Sequence, residues 1–309
     1  MGRVYAIAIN TFREAVRDRV LYGVIGLAFG VLLFTLALAQ LALYEQRRII
    51  LDVGLATISI FAVMVAIFLG SSLLYKEIDR KTLYVILSKP IARSEFLLGK
   101  YLGIVLTAAT FVALMGGVLC WVLAVQLDAP VWGTVSAPFL LGGVLAIAIW
   151  RASDRTSVLL PWSALVLATG ASLAALGGAS LGPLLAALAL TIAEVLVVAS
   201  VAMFFSSFSS PFLTGALTLG VWVVGRSADS MVAMRSRMLG PELKSMLAAI
   251  AEVWPNLNLF VPGRHTLETI SPDQGGPLQY VVTSSGYAIL YSAVLFALAA
   301  VVFRRRDFL

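Results

Sequence analysis

The chain has 309 residues, 61% of them hydrophobic and only 12% charged, with a mean hydropathy of +0.98. So few charges cannot coat a soluble globule, and the basic residues behind the net charge of +6 alternate with long apolar runs, which points to lipid and membrane orientation rather than to nucleic acid. The lone Cys120 excludes an intrachain disulfide.

Several apolar runs reach the roughly 20 residues needed to cross a hydrocarbon core of about 30 Å. Inside lipid the backbone must satisfy its own hydrogen bonds, so these runs are helices and the fold class is an all-α polytopic membrane protein. The segment 1–19 precedes them. Tyr5, Ile9, Phe12 and Val16 fall on one helical face, with Asn10, Arg13, Glu14, Arg17 and Asp18 opposite. That predicts an amphipathic helix in the membrane interface, with Tyr5, Phe12, Arg13 and Arg17 as its defining residues. No short apolar region with a small-residue cleavage site opens the chain, so no removable signal peptide is expected.

The remainder, 20–309, reads as a single transmembrane domain. Spans are predicted at 20–43, 53–75 and 101–126. Two weaker crossings follow at 131–150 and 156–177, interrupted by Pro138, Pro161 and many glycines and separated by RASDR, as an extra hairpin would be. Three more are expected at 184–205, 211–225 and 280–303, the sixth and seventh joined by the serine-rich SSFSSP. With the N-terminus inside and eight crossings, fifteen of the 22 Lys and Arg fall on the inner side. Both termini are therefore expected in the cytoplasm, together with the polar segment 76–100, while 226–279 forms an outer loop.

Segment 76–100 combines basic residues with an apolar edge made by Leu83, Ile86 and Leu87, broken at Ser88 and Pro90. Such a loop suits docking of a soluble partner, and it equally suits a solvated loop whose charges fix topology. Spacing alone leaves both open. The run E-x-x-x-x-T-L-x-x-x-L-S-x-P-I-x-R-x-x-F-x-x-G-K from Glu77 to Lys100 resembles the connection between the second and third spans of ABC-2 type transporter permeases, particularly the multicopper enzyme maturation-like branch. FREAVRDRVLY near the start, FSSFSSP at Phe205 to Pro211, and WPNLNLF before a last span ending FRRRDF resemble the same family in the same order.

The resemblance implies a six-span permease core with the 131–177 hairpin added. It implies a transmembrane subunit that works with a separate ATPase subunit holding ATP and Mg, with no cofactor expected on this chain itself. It also implies pairing with a second permease copy or a homologue, export as the direction, and a bacterial inner membrane. Carried onto this sequence, the ATPase-coupling positions are Glu77, Thr82, Leu83, Leu87, Pro90, Arg93, Gly99 and Lys100, with Arg80 and Lys81 beside them.

Other chemistry is weighed against its motifs. A phosphate-binding loop requires a glycine five residues before Gly99-Lys100 and Ser or Thr after it, but Ser94 and Tyr101 stand there. Gly178 to Gly182 matches G-x-S-x-G, yet the chain has one histidine, His265, in the outer loop, and a turn is the expected reading. Met231, Met234, Met238 and Met246 suit soft metals but equally fill an amphipathic face, so no metal site is assigned. Glu194 lies mid-span, where an acid usually meets a partner or an aqueous path. Interhelical bonding, a substrate path and proton coupling are its candidate roles. The alternatives to a permease are accordingly a proton-coupled secondary carrier using Glu194 and a non-catalytic membrane scaffold.

Overall fold

A computed structural model describes residues 2–41, 45–79, 92–127, 129–152, 154, 156–238, 254–261 and 276–305; at 73–79, 228–238, 276 and 304–305 it describes the backbone alone. Among the described residues the structure is helical without strands: α1 (Gly2–Val16), α2 (Arg19–Leu41), α3 (Gln46–Asp79), α4 (Arg93–Gln126), α5 (Val131–Arg151), α6 (Leu159–Leu176), α7 (Leu181–Ser206), α8 (Pro211–Met238), a short 3-10 turn (Leu257–Phe260) and α9 (Gly276–Arg305). Seven of them, α2 to α7 and α9, carry stretches long and apolar enough to cross a membrane. The apolar part of α8, residues 211–225, is shorter and ends at Arg226, although the helix itself continues.

α4 and α7 form the centre. Each buries residues around most of its circumference, and α3 packs against both, α6 against α4, and α9 against α7. Lipid is as apolar as a leucine side chain, so burial alone does not drive such helices together; close backbone approach through small residues does. Gly70 of α3 shows it, since a Cβ there would meet the Ala202 Cβ of α7 at 2.5 Å. A Cβ on Gly117 of α4 would meet the Val166 carbonyl oxygen of α6 at 2.6 Å, and Gly170 approaches Gly117 from the other side.

α1 lies against the beginning of α4. Its buried residues are Ala8, Thr11, Phe12, Ala15 and Val16, while Tyr5 is 70% exposed and Ile9 half-buried. The buried stripe is thus rotated from the expected Tyr5–Ile9–Phe12–Val16 line. Fit against glycine decides the rotation: Gly99 and Gly103 of α4 form notches, and an added Cβ would meet Ile7 at 2.6 Å in the first and Thr11 at 2.5 Å in the second. Bulky Tyr5 cannot use such a notch. A tight corner follows, where the Asp18 carboxylate accepts the Val20 N–H at 3.1 Å and starts α2.

α3 runs on to Asp79 and α4 starts at Arg93, so both helices extend into segment 76–100 and only 80–91 lie outside the described residues. The 131–177 hairpin is present as α5 and α6. Pro138 sits inside α5 without ending it. α5 faces outward along much of its length, with Trp132 at 74% and Trp150 at 84% exposed, whereas α6 presents Val166, Gly170, Leu173 and Ala174 to the core.

The WPNLNLF stretch folds back onto the bundle. The Trp254 indole donates to the Val221 carbonyl at 3.2 Å, Asn256 caps the 3-10 turn by accepting the Asn258 N–H, and the Tyr280 hydroxyl donates to the Leu259 carbonyl at 2.7 Å. Leu257 and Phe260 are buried. Gly225 admits this segment, because a Cβ there would meet the Pro255 carbonyl oxygen at 2.7 Å.

Candidate functional site

Two polar constellations stand out among the described residues. The first is built around Glu194, which α7 places in the core at 0% exposure. Its carboxylate accepts the Ser59 hydroxyl of α3 at 2.7 Å on one oxygen. The other oxygen accepts the Trp222 indole N–H at 2.8 Å and Arg226 Nη1 at 3.4 Å, both from α8. Arg226 Nη1 also donates to the Ser59 hydroxyl at 3.2 Å, and the guanidinium lies 5.3 Å from the Trp222 ring centre. A buried charge is costly unless paired and hydrogen-bonded, and here three donors from two other helices meet one acid.

Glu194 therefore does not stand nearly alone, as its apolar sequence neighbours suggest. Ser59, Trp222 and Arg226 were missed for two reasons. Ser59 is 135 positions away, and Arg226 reads as the first charge of an outer loop because the apolar run stops at Gly225. One signal was available: Trp222 and Arg226 are four apart, the spacing at which an aromatic ring and a cation share a helical face. Beside the pair lies a cavity of about 220 Å³ between α3, α7, α8 and the 3-10 turn, with Asp52, Ser59, Ser180, Thr191 and Arg226 on its polar wall.

The second constellation joins α1 to the rest. Lys100 is 2% exposed, within 3.4 Å of the Glu14 carboxylate and 6.0 Å from the Phe96 ring centre. Arg13 forms an ion pair with Asp154 in the α5–α6 connection. Asp154 also accepts Ser157 and Thr156 hydroxyls, the latter at 2.9 Å. These hydroxyl bonds, Ser157 foremost, and then the Arg13 charge, hold the Asp154 carboxyl below its ordinary value. One short helix thus ties together the start of α4 and the hairpin.

The coupling positions divide accordingly. Thr82, Leu83, Leu87, Pro90, Arg80 and Lys81 lie outside the described residues, and of Glu77 only the helical backbone is described. Arg93 opens α4 and is half-buried. Gly99 and Lys100 are covered by α1 and seat it. Of the interfacial residues, Phe12 is fully buried, Arg13 reaches Asp154, and Tyr5 and Arg17 are exposed.

Gly178 closes the turn between α6 and α7 with φ +84°, a conformation that favours glycine, and the Ser180 hydroxyl accepts Arg47 Nη2 at 3.1 Å. The side chains of Met231, Met234 and Met238, and all of Met246 and His265, lie outside the described residues. No group of His, Cys, Asp and Glu suited to a metal occurs among the described residues.

Long apolar helices packed through glycines, with their charges paired between helices, define an all-α multi-pass membrane protein. The sequence matches the family described as ABC-2 family transporter protein over residues 5–308, and the chain belongs to that family. It is accordingly a transmembrane permease subunit of an ABC transporter, not an enzyme by itself, and the family implies an ABC ATPase subunit as its partner. The match is to the family as a whole and does not single out the multicopper enzyme maturation-like branch. It runs through the hairpin, so α5 and α6 lie within the matched length. No curated protein matches the chain.

Proposed function

We propose that the chain is the permease half of an exporter in a bacterial inner membrane, with both termini cytoplasmic and ATP and Mg handled by the ATPase subunit. It works as a pair with a second copy or a homologue. Closure of the ATPase subunits would push segment 76–100, and the push would pass into α3 and α4, whose ends flank it. The observation that carries this reading is the seating of α1 on Gly99 and Gly103, locked by the buried Lys100 pairing with the partly exposed Glu14. α1 and the start of α4 form one lever, so force applied at either reaches the same helix.

The rival carrier reading needs Glu194 to exchange a proton with an aqueous path. Its oxygens are committed to Ser59, Trp222 and Arg226, which favours a holding role. The test is copurification from detergent. A soluble ATPase should come down with the chain, and charge reversals at Arg80, Lys81 and Arg93 together should release it. Retention after all three reversals overturns the coupling assignment.

A further inference from the structure

Three features give the cavity beside the buried pair a definite chemical preference. First, Arg226 lines it and keeps 19% of its side chain exposed, while the paired Glu194 is fully buried and not part of the lining. The cavity therefore meets the cation and not the acid. Both hydrogen bonds described for Arg226 leave from Nη1, and a guanidinium has five N–H donors in a planar fork.

Second, the wall includes Ser180, Pro183 and Leu184, the first turn of α7. The first N–H groups of a helix have no acceptor within it, and their end of the helix carries partial positive charge. The Ser180 side chain makes no cap bond to α7 and accepts Arg47 instead, which adds a cation at this end. Third, the acid on the wall, Asp52, is paired with Arg48 at 3.5 Å. From Ser180 to Thr191 the lining follows α7 for eleven residues, about 16 Å of helix. A positive helix end thus stands at one limit and Arg226 toward the other. Leu51, Leu55, Leu184 and Phe260 make the wall between them apolar.

We infer that this cavity binds an organic anion, a phosphate or carboxylate group on a short apolar body, with Arg226 as the residue that holds the anionic group. The cavity, about 220 Å³, has room for a head group or a short chain. Ser59 and Trp222 are positioning residues that fix the guanidinium. The inference concerns binding by this chain alone.

The test uses the full chain in lipid nanodiscs, without ATPase, titrated calorimetrically with hexyl phosphate, inorganic phosphate and hexanol. Hexyl phosphate should bind saturably and hexanol should not. Inorganic phosphate weaker than hexyl phosphate by about tenfold or more supports an amphiphilic source; equal binding keeps the anion site and overturns the apolar body. Arg226→Gln should weaken hexyl phosphate at least about tenfold, the loss of a charge-assisted bond. Because that change strands Glu194, the double variant Glu194→Gln with Arg226→Gln is the second arm, and it should show the same loss. Glu194→Gln alone should tighten binding, since it removes the anion that competes for Arg226. A merely structural cluster would instead lose affinity there. Binding of hexanol equal to hexyl phosphate, unchanged affinity in the double variant, or weakening by Glu194→Gln overturns the site. Each of these leaves the ATPase copurification result untouched, so the two readings fail separately.

Discussion

Replacing Arg226 by leucine removes one partner of a pair whose other member, Glu194, has no access to solvent. The carboxylate would keep its bonds from Ser59 at 2.7 Å and Trp222 at 2.8 Å but lose its only described counter-charge. Stranding a buried charge in this way costs about 3–5 kcal/mol. Glu194→Gln is milder: its amide still accepts from Trp222 and meets Ser59, but gives up one charge-assisted bond, at about 1.5–3 kcal/mol. The double variant Glu194→Leu with Arg226→Leu strands nothing and should recover most of the loss. A double-mutant cycle on Leu substitutions, read from equilibrium unfolding in mixed micelles, measures the coupling. Independent sites add within about 0.5 kcal/mol. If the two single Leu costs sum to the double within that margin, the pair is not an energetic unit and the site as described here is wrong.

Gly103→Val should lift α1 from α4, because even the first carbon meets Thr11 at 2.5 Å and the Ala8 carbonyl oxygen at 2.8 Å; hydrogen exchange across 2–16 should rise while α4 and α7 stay protected. Gly117→Val should pry α6 from α4 at a cost of about 1–3 kcal/mol for overpacking, visible as a lower thermal midpoint. The Arg13–Asp154 link should be insensitive to pH between 5 and 8. Asp154 has a folded-state value depressed below the ordinary 3.8, so its stabilising link is complete above that value and is lost as pH falls through the depressed one. Cross-linking between cysteines placed at Arg17 and Ala152, in a Cys120→Ala background, should follow that course, and loss of proximity already at pH 6 would refute it.

Hydrophobic runs marked the long apolar helices, and the weak hairpin was legible despite Pro138. The edges were less so. Arg93 to Lys100 look like loop since they are polar, yet Phe96, Leu97 and Gly99 are buried, Gly99 against Ile7 of α1, a contact that local composition does not record. The rotation of α1 was hidden for the same reason: a period-3.6 pattern marks bulk, whereas Gly99 and Gly103 select small groups such as Thr11. Glu194 announced itself as one acid in a long apolar helix. Its partners did not, because a buried network is assembled from residues distant in sequence, and Ser59 in an apolar span is indistinguishable from any small packing residue.

The outward face of α5 has a consequence for how the hairpin sits in its surroundings. Trp132 and Trp150 project at its two ends, eighteen residues or about 27 Å apart along the axis. Indole rings prefer the boundary between hydrocarbon and head groups, and this spacing nearly matches the depth of the oily layer. The hairpin is therefore pinned vertically at both boundaries, like a gauge set to one thickness. A thinner bilayer must tilt it, and through Gly117 and Gly170 the tilt is handed to α4.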